Sequence, residues 1–180
     1  MSSINNQIIQ HADELIRSKG YNAFSYTDIS KPLGVKNAAI HYHFPSKLDL
    51  ARAVVQFHVQ SFERFTERVK DKSSLSKIKF FLNFYTSIQH SGRICVIGAF
   101  ASDWNAMNSD IQDLMNSFTQ NIINWLSNTL ESNSFTLSDS PKSEALAILT
   151  NIFAATQLSR ITGNEHFAAI KQTILKRITN

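Results

Sequence analysis

Apolar side chains recur at helical spacing from the start of the chain. One stripe of an amphipathic helix is formed by Ile8, Ala12, Leu15 and Ile16. Lys19 and Gly20 follow, and a cation before a glycine is typical of a helix C-terminus. Ser25 and Asp28 have the spacing of a capping box, which predicts a short second helix that ends near Gly34.

Two more helices are predicted directly after this pair. Asn37 can cap a third helix that runs to about Phe44. Ser46 and Asp49 repeat the capping-box spacing after Pro45 and begin a long fourth helix. The apolar side of this fourth helix consists of Ala51, Val54, Val55, His58, Phe62, Phe65 and Val69.

The remainder of the chain continues the helical pattern. Further helices are predicted at about residues 75–90, 94–105, 109–131, 142–162 and 165–178. The polar stretch 132–141 is the clearest loop, and no strand pattern or internal repeat is present in the sequence. We therefore predict an all-α fold of about nine helices, with an N-terminal three-helix head over residues 1–46 and a helical body over residues 47–180.

Composition supports a folded helical protein. The chain has 180 residues, of which 43% are hydrophobic, so it can bury a sizeable core, and its 5 glycines and 3 prolines are too few for the turns of an all-β fold. The N-terminus lacks a signal-peptide pattern, and the longest apolar run, residues 94–101, is far shorter than the roughly 20 residues that span a bilayer. A single cysteine, Cys95, precludes an internal disulfide, so we expect a soluble, cytoplasmic protein.

Positive charge is concentrated in the first 80 residues. The formal net charge is +4. Residues 1–50 carry 5 basic and 4 acidic side chains, residues 51–80 carry 7 and 3, and residues 81–180 carry 6 and 7. This distribution favours an anionic partner for the N-terminal part, although ordinary protein surfaces give similar sums.

The segment LGVKNAAIHYHF, residues 33–44, carries the most informative pattern. Two short helices joined by a tight glycine turn describe a helix-turn-helix unit, whose second helix enters the major groove by its N-terminal residues. Ala38 and Ala39 are small enough to let the backbone approach base edges, and their methyl groups can contact thymine methyls. Lys36 and Asn37 can reach guanine and adenine edges respectively.

Two other chemistries compete for His41 and His43. Residues two apart on a helix point about 200° away from each other, whereas two metal ligands on one helix need a spacing of three or four. No cysteine or acidic cluster stands nearby in the sequence, so no metal site is predicted. No motif places a nucleophile or carboxylate beside either histidine, so we predict neither an enzyme nor a cofactor. His43 can instead be a half-buried packing residue.

The string GYNAFSYTDISKPLGVKNAAIHYHFPSKLDL, residues 20–50, resembles the DNA-binding head of TetR-family transcriptional regulators. The matching positions are Gly20, Tyr21, Phe24, Ser25, Asp28, Ile29, Gly34, Val35, His43, Phe44, Lys47 and Leu50. The close resemblance covers about the first 50 residues, and beyond them it depends on chain length and helical pattern. It implies a DNA-binding transcriptional regulator, in the form of a repressor that a small-molecule or electrophile signal releases from its operator.

Three positions depart from the family pattern. Lys36 stands where a small hydroxyl residue usually caps the third helix, so Asn37 is predicted to take that role. His41 stands where a tyrosine is common, with Tyr42 directly after it. Pro32 falls within the second helix and removes one backbone hydrogen bond. These departures affect the assignment of base contacts rather than the presence of the head.

The resemblance also implies contacts to the phosphates of DNA. Lys47 begins the fourth helix, and Ser25 and Thr27 lie at the start of the second, where a helix N-terminus favours anions. Tyr42 can donate its hydroxyl to a phosphate. The predicted DNA-binding set is Ser25, Thr27, Lys36, Asn37, Ala38, Ala39, His41, Tyr42 and Lys47. We expect Lys47→Ala to weaken duplex binding and flatten its salt dependence with the fold intact; the alternative is an ordinary solvated lysine.

The resemblance implies that the body binds a ligand. Its interior is rich in aromatic rings, most of which are simply core. The candidate ligand or sensor residues are Cys95, Phe84, Phe100, Trp104 and Phe118. The string SGRICVIGAFASDW resembles one in family members whose cysteine senses electrophiles or oxidants, and Arg93 would favour the thiolate of Cys95. The alternative is that Cys95 is a small buried hydrophobe.

The last two helices are predicted to form a homodimer interface. Their apolar face consists of Leu146, Leu149, Phe153, Phe167, Ile170 and Ile174, with small residues at Ala145, Ala154 and Ala155. Two such hairpins related by a two-fold axis make a four-helix interface. Two heads would then bind the half-sites of a pseudo-palindromic double-stranded DNA operator, roughly 34–36 Å apart or a multiple of that spacing.

The expected mechanism is a population shift. An unknown small-molecule inducer, or a thiol adduct, lowers DNA affinity if it favours a wider separation of the heads. Two alternatives stay open: an all-helical small-molecule-binding protein or enzyme without DNA binding, and a helix-turn-helix protein without a ligand. The DNA hypothesis requires residues 36–42 to be exposed, with Ile40 and Phe44 facing inward.

Overall fold

The computed structural model describes residues 3–132 and 135–179. These residues form nine α-helices, two short 3-10 helices and no β-strand, which confirms the all-α prediction. The helices are α1 (Ile4–Lys19), α2 (Tyr26–Leu33), α3 (Asn37–His43), α4 (Lys47–Val69), α5 (Ser74–His90), α6 (Val96–Ser102), α7 (Ser109–Leu130), α8 (Pro141–Thr162) and α9 (Phe167–Thr179). The 3-10 helices are Tyr21–Ala23 and Trp104–Ala106.

The helix predicted over residues 94–105 is divided in the structure. α6 ends at Ser102 and the 3-10 helix Trp104–Ala106 follows it. Asp103 lies between them with φ −109° and ψ 20°, which is outside α-helical geometry. Of the loop predicted at 132–141, residues 133 and 134 lie outside the described residues, and Pro141 is already the first residue of α8.

Hydrogen bonds at the helix ends explain where the first helices begin and end. Asp28 Oδ2 accepts from the backbone N–H of Ser25 at 2.7 Å and from its hydroxyl at 2.8 Å. Asp49 accepts from Ser46 in the same way, and its own N–H donates to Ser46 Oγ at 3.1 Å. Gly34 ends α2 with φ 66°, a left-handed conformation that favours glycine. Both predicted capping boxes are therefore confirmed.

The predicted N-cap of α3 is wrong. α3 begins at Asn37, and its N-cap is Lys36, which has an extended backbone with φ −82° and ψ 150° and makes no side-chain capping bond. The amide of Asn37 is instead turned back towards α2, where it bonds Thr27 and Ser30. These tertiary hydrogen bonds outweigh the local preference of asparagine for a cap position.

The chain forms two compact units. The first comprises Met1–Glu63 and Val96–Asn116, and the second comprises Arg64–Cys95 and Ser117–Asn180. Residues of both α4 and α7 therefore occur in each unit. The predicted boundary between residues 46 and 47 separates a DNA-binding head from a body, whereas the two compact units are defined by packing. The predicted boundary stays a prediction.

The core of the first unit fixes the position of α3. α1 packs against α2 and α6, and α2 packs against α3. The largest fully buried side chains here are Ile8, Ile16, Ile29, Ile40, Leu50, Phe100 and Ile111. Burying a side chain of this size contributes about 1.5–3 kcal/mol. Ile40 is the buried residue of α3, so it anchors that helix to the core.

The core of the second unit is built around α5, α8 and α9, which pack against one another. Its buried apolar side chains include Ile78, Leu82, Leu126, Leu130, Ile148 and Phe167. The rings of Phe65, Phe81 and Trp125 add an aromatic cluster, with centroids 5.4–6.3 Å apart. Among the described residues, no helix combines the length and the hydropathy that crossing a lipid bilayer requires.

Candidate nucleic-acid interface

α3 and the residue before it present most of their side chains to solvent. Lys36, Asn37, Ala38, His41 and Tyr42 are exposed, and Ala39 is half-buried. Tyr42 is 84% exposed, an unusual state for a tyrosine, whereas Ile40 is fully buried and Phe44 is 6% exposed. The predicted exposure of this segment is confirmed, as is the inward orientation of Ile40 and Phe44.

Three polar side chains hold α3 against α2. Asn37 Nδ2 donates to Thr27 Oγ1 at 2.9 Å, and the Ser30 hydroxyl donates to Asn37 Oδ1. The turn between the helices adds a bond from the Val35 N–H to the Ser30 carbonyl at 3.1 Å. Both ends of the Asn37 amide are therefore engaged within the protein, which does not favour the predicted adenine contact.

Aromatic contacts hold the C-terminal end of α3. The buried Tyr26 hydroxyl donates to the Phe44 carbonyl at 2.8 Å, and the Tyr26 ring lies 4.5 Å from that of His41. Burial, with smaller contributions from Asp49 and Tyr21, raises the pKa of Tyr26 to about 12, so the hydroxyl keeps its proton at neutral pH. These contacts fix the orientation of α3 relative to α2 within the head.

His43 is half-buried, as predicted, with its ring centroid 5.3 Å from that of Tyr42. His41 is exposed on the same short helix. Among the residues that the structure describes, no group of three or more histidine, cysteine, aspartate or glutamate side chains could hold a metal ion. The His43 ring packs beside Tyr42, and the exposed His41 ring packs beside Tyr26.

Lys47 is not an ordinary solvated lysine. Its Nζ donates to the Phe24 carbonyl at 2.6 Å and lies 4.1 Å from the centroid of the Phe24 ring and 4.8 Å from that of Tyr21. Burial lowers the pKa of the ammonium, which Asp103 and Asp28 partly offset. A phosphate contact by Lys47 would have to share this ammonium with the segment between α1 and α2.

The same segment is held by a carboxylate that sequence reasoning missed. Asp103 Oδ2 accepts from the Tyr21 backbone N–H and Asp103 Oδ1 accepts from Asn22 Nδ2, both at 2.8 Å. Gly20 turns the chain into this contact with φ 102°. No local pattern could have revealed the pairing, because the partners stand 82 and 81 residues apart in the chain.

Two carboxylates occupy the helix N-termini at which phosphates were expected. The Ser25 backbone N–H and then its hydroxyl lower the pKa of Asp28, and the Ser46 hydroxyl and then its N–H lower that of Asp49. Both carboxylates are therefore ionised at neutral pH and repel phosphate. Both donors of Ser25 point at Asp28, so the predicted phosphate contact of Ser25 does not fit this geometry.

Two exposed cations were left out of the predicted DNA-binding set. Lys31 lies in the last turn of α2, and Arg52 lies in the second turn of α4, where its charge helps to lower the pKa of Asp49. An exposed cation one turn from a capping carboxylate is a signal that the sequence contains.

A buried cluster of charged side chains joins α1 to α4 within the first unit. Asp13 Oδ1 lies 2.6 Å from His58 Nε2, and Arg17 Nη1 donates to Asp13 Oδ2 at 3.1 Å. Asp13 is 6% exposed and Arg17 is 5% exposed. Burial raises the pKa of Asp13, but His58 and Arg17 together outweigh burial and leave the pKa below its ordinary value.

The predicted ligand and sensor residues differ in burial. Cys95 is 3% exposed directly before α6, and Phe100 and Phe118 are also buried. Phe84 is 51% exposed and Trp104 is 40% exposed, so neither lies in an enclosed cavity of the single chain. The five residues are divided between the two compact units, and their assignment stays a prediction.

The predicted dimer residues divide in a similar way. Leu149, Phe167 and Ile174 are buried within the chain itself, where α8 packs against α9, so they support these helices rather than present surface. Phe153 and Ile170 are half-buried, and Leu146 is 42% exposed. The sequence set omitted two exposed apolar residues of α8, Leu158 at 50% and Ile161 at 79%.

Comparison with known proteins places this geometry in a family. The family model for bacterial regulatory proteins of the tetR family matches residues 8–54. The HTH-type transcriptional regulator CymR of Pseudomonas putida is 34% identical over 73 residues, which are 41% of this chain and 34% of CymR. The match to this curated relative thus spans about a third of its length.

Solved structures match over the whole chain. A TetR transcriptional regulator from Legionella pneumophila has 32% identity and a TM-score of 0.90, covering 99% of this chain and 98% of its own. A TetR-family regulator from Agrobacterium tumefaciens has 28% identity and a TM-score of 0.89, covering 98% and 97%. The helix-turn-helix head and the helical body are therefore both shared with these regulators.

Proposed function

Because the chain belongs to the TetR family of DNA-binding transcriptional regulators, we propose that it is a homodimeric repressor released from its operator by a small-molecule or electrophile signal. Regulators of this family bind operator DNA as dimers, and release by a ligand is typical of them. The observation that carries the DNA-binding part is the exposure of α3, above all of Tyr42 at 84%.

α3 is the helix that we assign to the major groove. Lys36 and Ala38 are exposed at its N-terminal end, which is the end that approaches base edges in helix-turn-helix proteins. The Lys36 ammonium can donate to guanine O6 and N7, and the Ala38 methyl can contact a thymine methyl. Asn37 and Thr27 set the angle of the helix through their mutual hydrogen bond rather than read a base.

Contacts to the phosphates would come from the edges of the same surface. Tyr42 can donate its hydroxyl, and the exposed cations Lys31 and Arg52 join Lys47 as candidates. Such contacts orient the protein and set the salt dependence of binding without reading sequence. The carboxylates of Asp28 and Asp49 restrict where a phosphate can approach.

The test is fluorescence anisotropy with a labelled duplex from upstream of the protein's own reading frame. Tyr42→Phe removes one hydroxyl and Lys36→Gln removes one charge. We expect each change to weaken binding by about tenfold, since a hydrogen bond to a charged group contributes about 1.5–3 kcal/mol. Tyr42→Phe should weaken binding to all duplexes alike, whereas Lys36→Gln should relax the preference at one base pair.

Lys176→Gln is the matched control, because it removes an exposed charge from the last turn of α9. It should bind DNA as the wild type does, and the thermal stability of all three variants should be unchanged. A wild-type protein that binds no duplex at low salt would overturn the proposal. That outcome favours the alternative, an all-helical small-molecule-binding protein or enzyme without DNA binding.

The electrophile signal would act at Cys95. The position of Cys95 directly before α6, with Arg93 two residues earlier, supports this assignment, whereas its 3% exposure means that the thiol reacts only through local opening. We expect N-ethylmaleimide to modify Cys95 in the native protein and to release DNA, and Cys95→Ser to abolish both effects. Modification of the unfolded chain alone would exclude the electrophile route.

A further inference from the structure

A cleft of about 260 Å³ lies in the second compact unit, and Cys95 directly follows its lining residue Ile94. It is formed by two chain connections, the one between α5 and α6 and the one between α8 and α9, together with the last turns of α8. The side chains that give it chemical character are Arg93, Arg160, His90 and Glu165.

Two glycines turn the chain beside the cleft. Gly92 and Gly163 line it with φ 67° and φ 70°, and a Cβ added at either position would have no atom within 4 Å. Its volume is just below the roughly 300–1,000 Å³ of pockets that hold drug-sized ligands. The cleft therefore suits a small metabolite or the polar end of a larger molecule.

The lining carries an excess of positive charge. It contains two arginines, Arg93 in the connection after α5 and Arg160 in the last turn of α8, against a single carboxylate. That carboxylate, Glu165, lies 3.5 Å from His90 Nε2, so this pair links the two connections. Arg93 Nε donates to Ser91 Oγ at 2.9 Å, which orients the guanidinium. A planar guanidinium binds carboxylate and phosphate groups through two parallel N–H bonds.

A simpler role exists for two of these cations. His90 and Arg160 lie in the last turns of α5 and α8, where the negative end of a helix dipole favours a positive side chain. Arg93 has no such explanation, because it stands outside both helices in the connection that follows α5. Two arginines from separate segments line one cleft, and this arrangement is what points to a ligand.

We propose that this cleft binds a small molecule through a carboxylate or phosphate group held by Arg93 and Arg160. The inference goes beyond the proposed function, because binding is measured on the protein alone, whether or not it represses a gene. A carboxylate and a phosphate offer the guanidinium groups the same oxyanion chemistry, so the experiment has one arm for each.

The test is isothermal titration calorimetry of the full chain in its native oligomeric state. Hexanoate is compared with hexanamide, which has the same shape without the charge, and glycerol 3-phosphate is compared with glycerol. We expect at least one of the two anions to bind with a Kd below about 10 mM, and its neutral counterpart to give no heat of binding. Binding in one arm alone shows whether the site prefers a carboxylate or a phosphate. Binding of both hexanoate and glycerol 3-phosphate identifies a general oxyanion site.

Arg93→Gln and Arg160→Gln should each weaken this binding by about tenfold, as expected for the loss of one charge-assisted bond. Arg160→Lys keeps the charge but removes the planar fork, so it should recover only part of the affinity. Lys142→Gln removes an exposed charge from the opposite end of α8 and should leave binding unchanged. Thermal unfolding and gel filtration are the checks that each variant keeps its fold and oligomeric state.

Four results would overturn the inference. The first is no heat from either oxyanion at about 10 mM, and the second is equal heat from the neutral counterpart. The third is an equal loss of affinity in Lys142→Gln, since that would mean that the anions respond to net charge rather than to the cleft. Variants of Arg93 and Arg160 that change only the oligomeric state would assign these arginines to subunit contacts instead.

Discussion

Two side chains of the head donate to backbone carbonyls that lie between helices. Tyr26 donates to the Phe44 carbonyl at the end of α3, and Lys47 donates to the Phe24 carbonyl before α2. These carbonyls belong to segments without regular helical partners, and a buried carbonyl without a donor costs about 1–3 kcal/mol. At the scale of single residues, the head therefore depends on long side chains that reach back to satisfy its connections.

Lys47 tests whether one side chain serves both folding and DNA binding. Lys47→Met keeps an apolar stem over the Phe24 ring but removes the donor, and Lys47→Ala removes both. We expect Lys47→Ala to lower the free energy of unfolding by about 1–2 kcal/mol in urea titrations, and Lys47→Met to lower it by less. Both variants should flatten the salt slope of duplex binding by about one.

Lys31→Met is the control for Lys47, because Lys31 is exposed at the end of α2. It should leave the free energy of unfolding unchanged. The sequence alone predicted that Lys47→Ala leaves the fold intact. The contacts of Lys47 with Phe24 and Tyr21 revise that expectation to a fold of lower stability. Equal stability of Lys47→Ala and the wild type would contradict the role that its contacts with Phe24 and Tyr21 indicate.

Tyr26→Phe removes only the buried hydroxyl. The Phe44 carbonyl then loses its donor, so we expect the free energy of unfolding to fall by about 1–2 kcal/mol. The raised pKa gives a second measurement: this hydroxyl stabilises the fold fully below pH 10.0, and the stabilisation is lost as the pH rises through about 12. A Tyr26→Phe variant with the same alkaline loss of stability as the wild type would contradict this assignment.

Residue types alone could not have given the roles of the polar side chains in the head. Asparagine is a good helix cap, and that preference predicted the wrong role for Asn37, whose amide bonds Thr27 and Ser30 instead. The capping boxes were predictable because their partners are three residues apart. Asn37 and Thr27 stand ten residues apart, so only the packing of α3 on α2 brings them together.

At the scale of elements, the pairing of α1 with α4 includes the buried side chains of Asp13 and Arg17 and the half-buried ring of His58. All three lie within the first compact unit. His58 was placed correctly on the apolar side of α4, but nothing in its spacing indicated a carboxylate partner 45 residues away. A histidine on an apolar helical stripe is compatible with simple burial and with an ion pair, and only the opposing helix decides between them.

Asp13→Asn measures what this pairing contributes. Removing one partner of a buried ion pair costs about 3 kcal/mol, because the guanidinium of Arg17 loses its counter-ion in a site of low polarity. The folded pKa of Asp13 lies below 3.8, so the carboxylate stabilises the fold above that pH, and the stabilisation is lost as the pH falls through the folded pKa. Urea titrations at neutral and acid pH should show this loss in the wild type and not in Asp13→Asn.

Asp113→Asn provides the comparison for Asp13, since Asp113 is exposed on α7. It should match the wild type in stability at both pH values. If Asp13→Asn and Asp113→Asn behave alike at neutral pH, the buried cluster does not stabilise the pairing of α1 with α4.

Helix positions were predictable from the sequence, and the break after α6 was not. The 3.6-residue period and the capping residues give each helix a local signal, so the remaining bounds agree to within a few residues. Asp103 ends the helical geometry of this segment. Its carboxylate accepts hydrogen bonds from Tyr21 and Asn22, which directly follow α1. A tertiary contact of this kind overrides a continuous apolar pattern.

For the whole molecule, we propose that two copies associate through the exposed apolar residues of α8. Leu146, Leu158 and Ile161 remain exposed in the single chain, while the apolar residues that α8 and α9 share are already buried. Sequence periodicity cannot separate an apolar residue that packs inside the chain from one that packs against a partner, since both favour the same spacing. The burial of each residue in the structure distinguishes the two cases. It favours dimer contacts near the C-terminal end of α8, at Leu158 and Ile161.

Ile161→Glu is the substitution that tests this proposed interface. A carboxylate at a position that is 79% exposed in the single chain should leave the fold unchanged, but it would have to be desolvated against a partner subunit. We expect sedimentation equilibrium to give a monomer, and duplex affinity to fall at least about a hundredfold because two linked heads no longer bind together. Phe80→Glu, at a 46% exposed position of α5, should remain dimeric. An Ile161→Glu protein that stays dimeric and binds DNA normally would place the contact between subunits elsewhere on the chain.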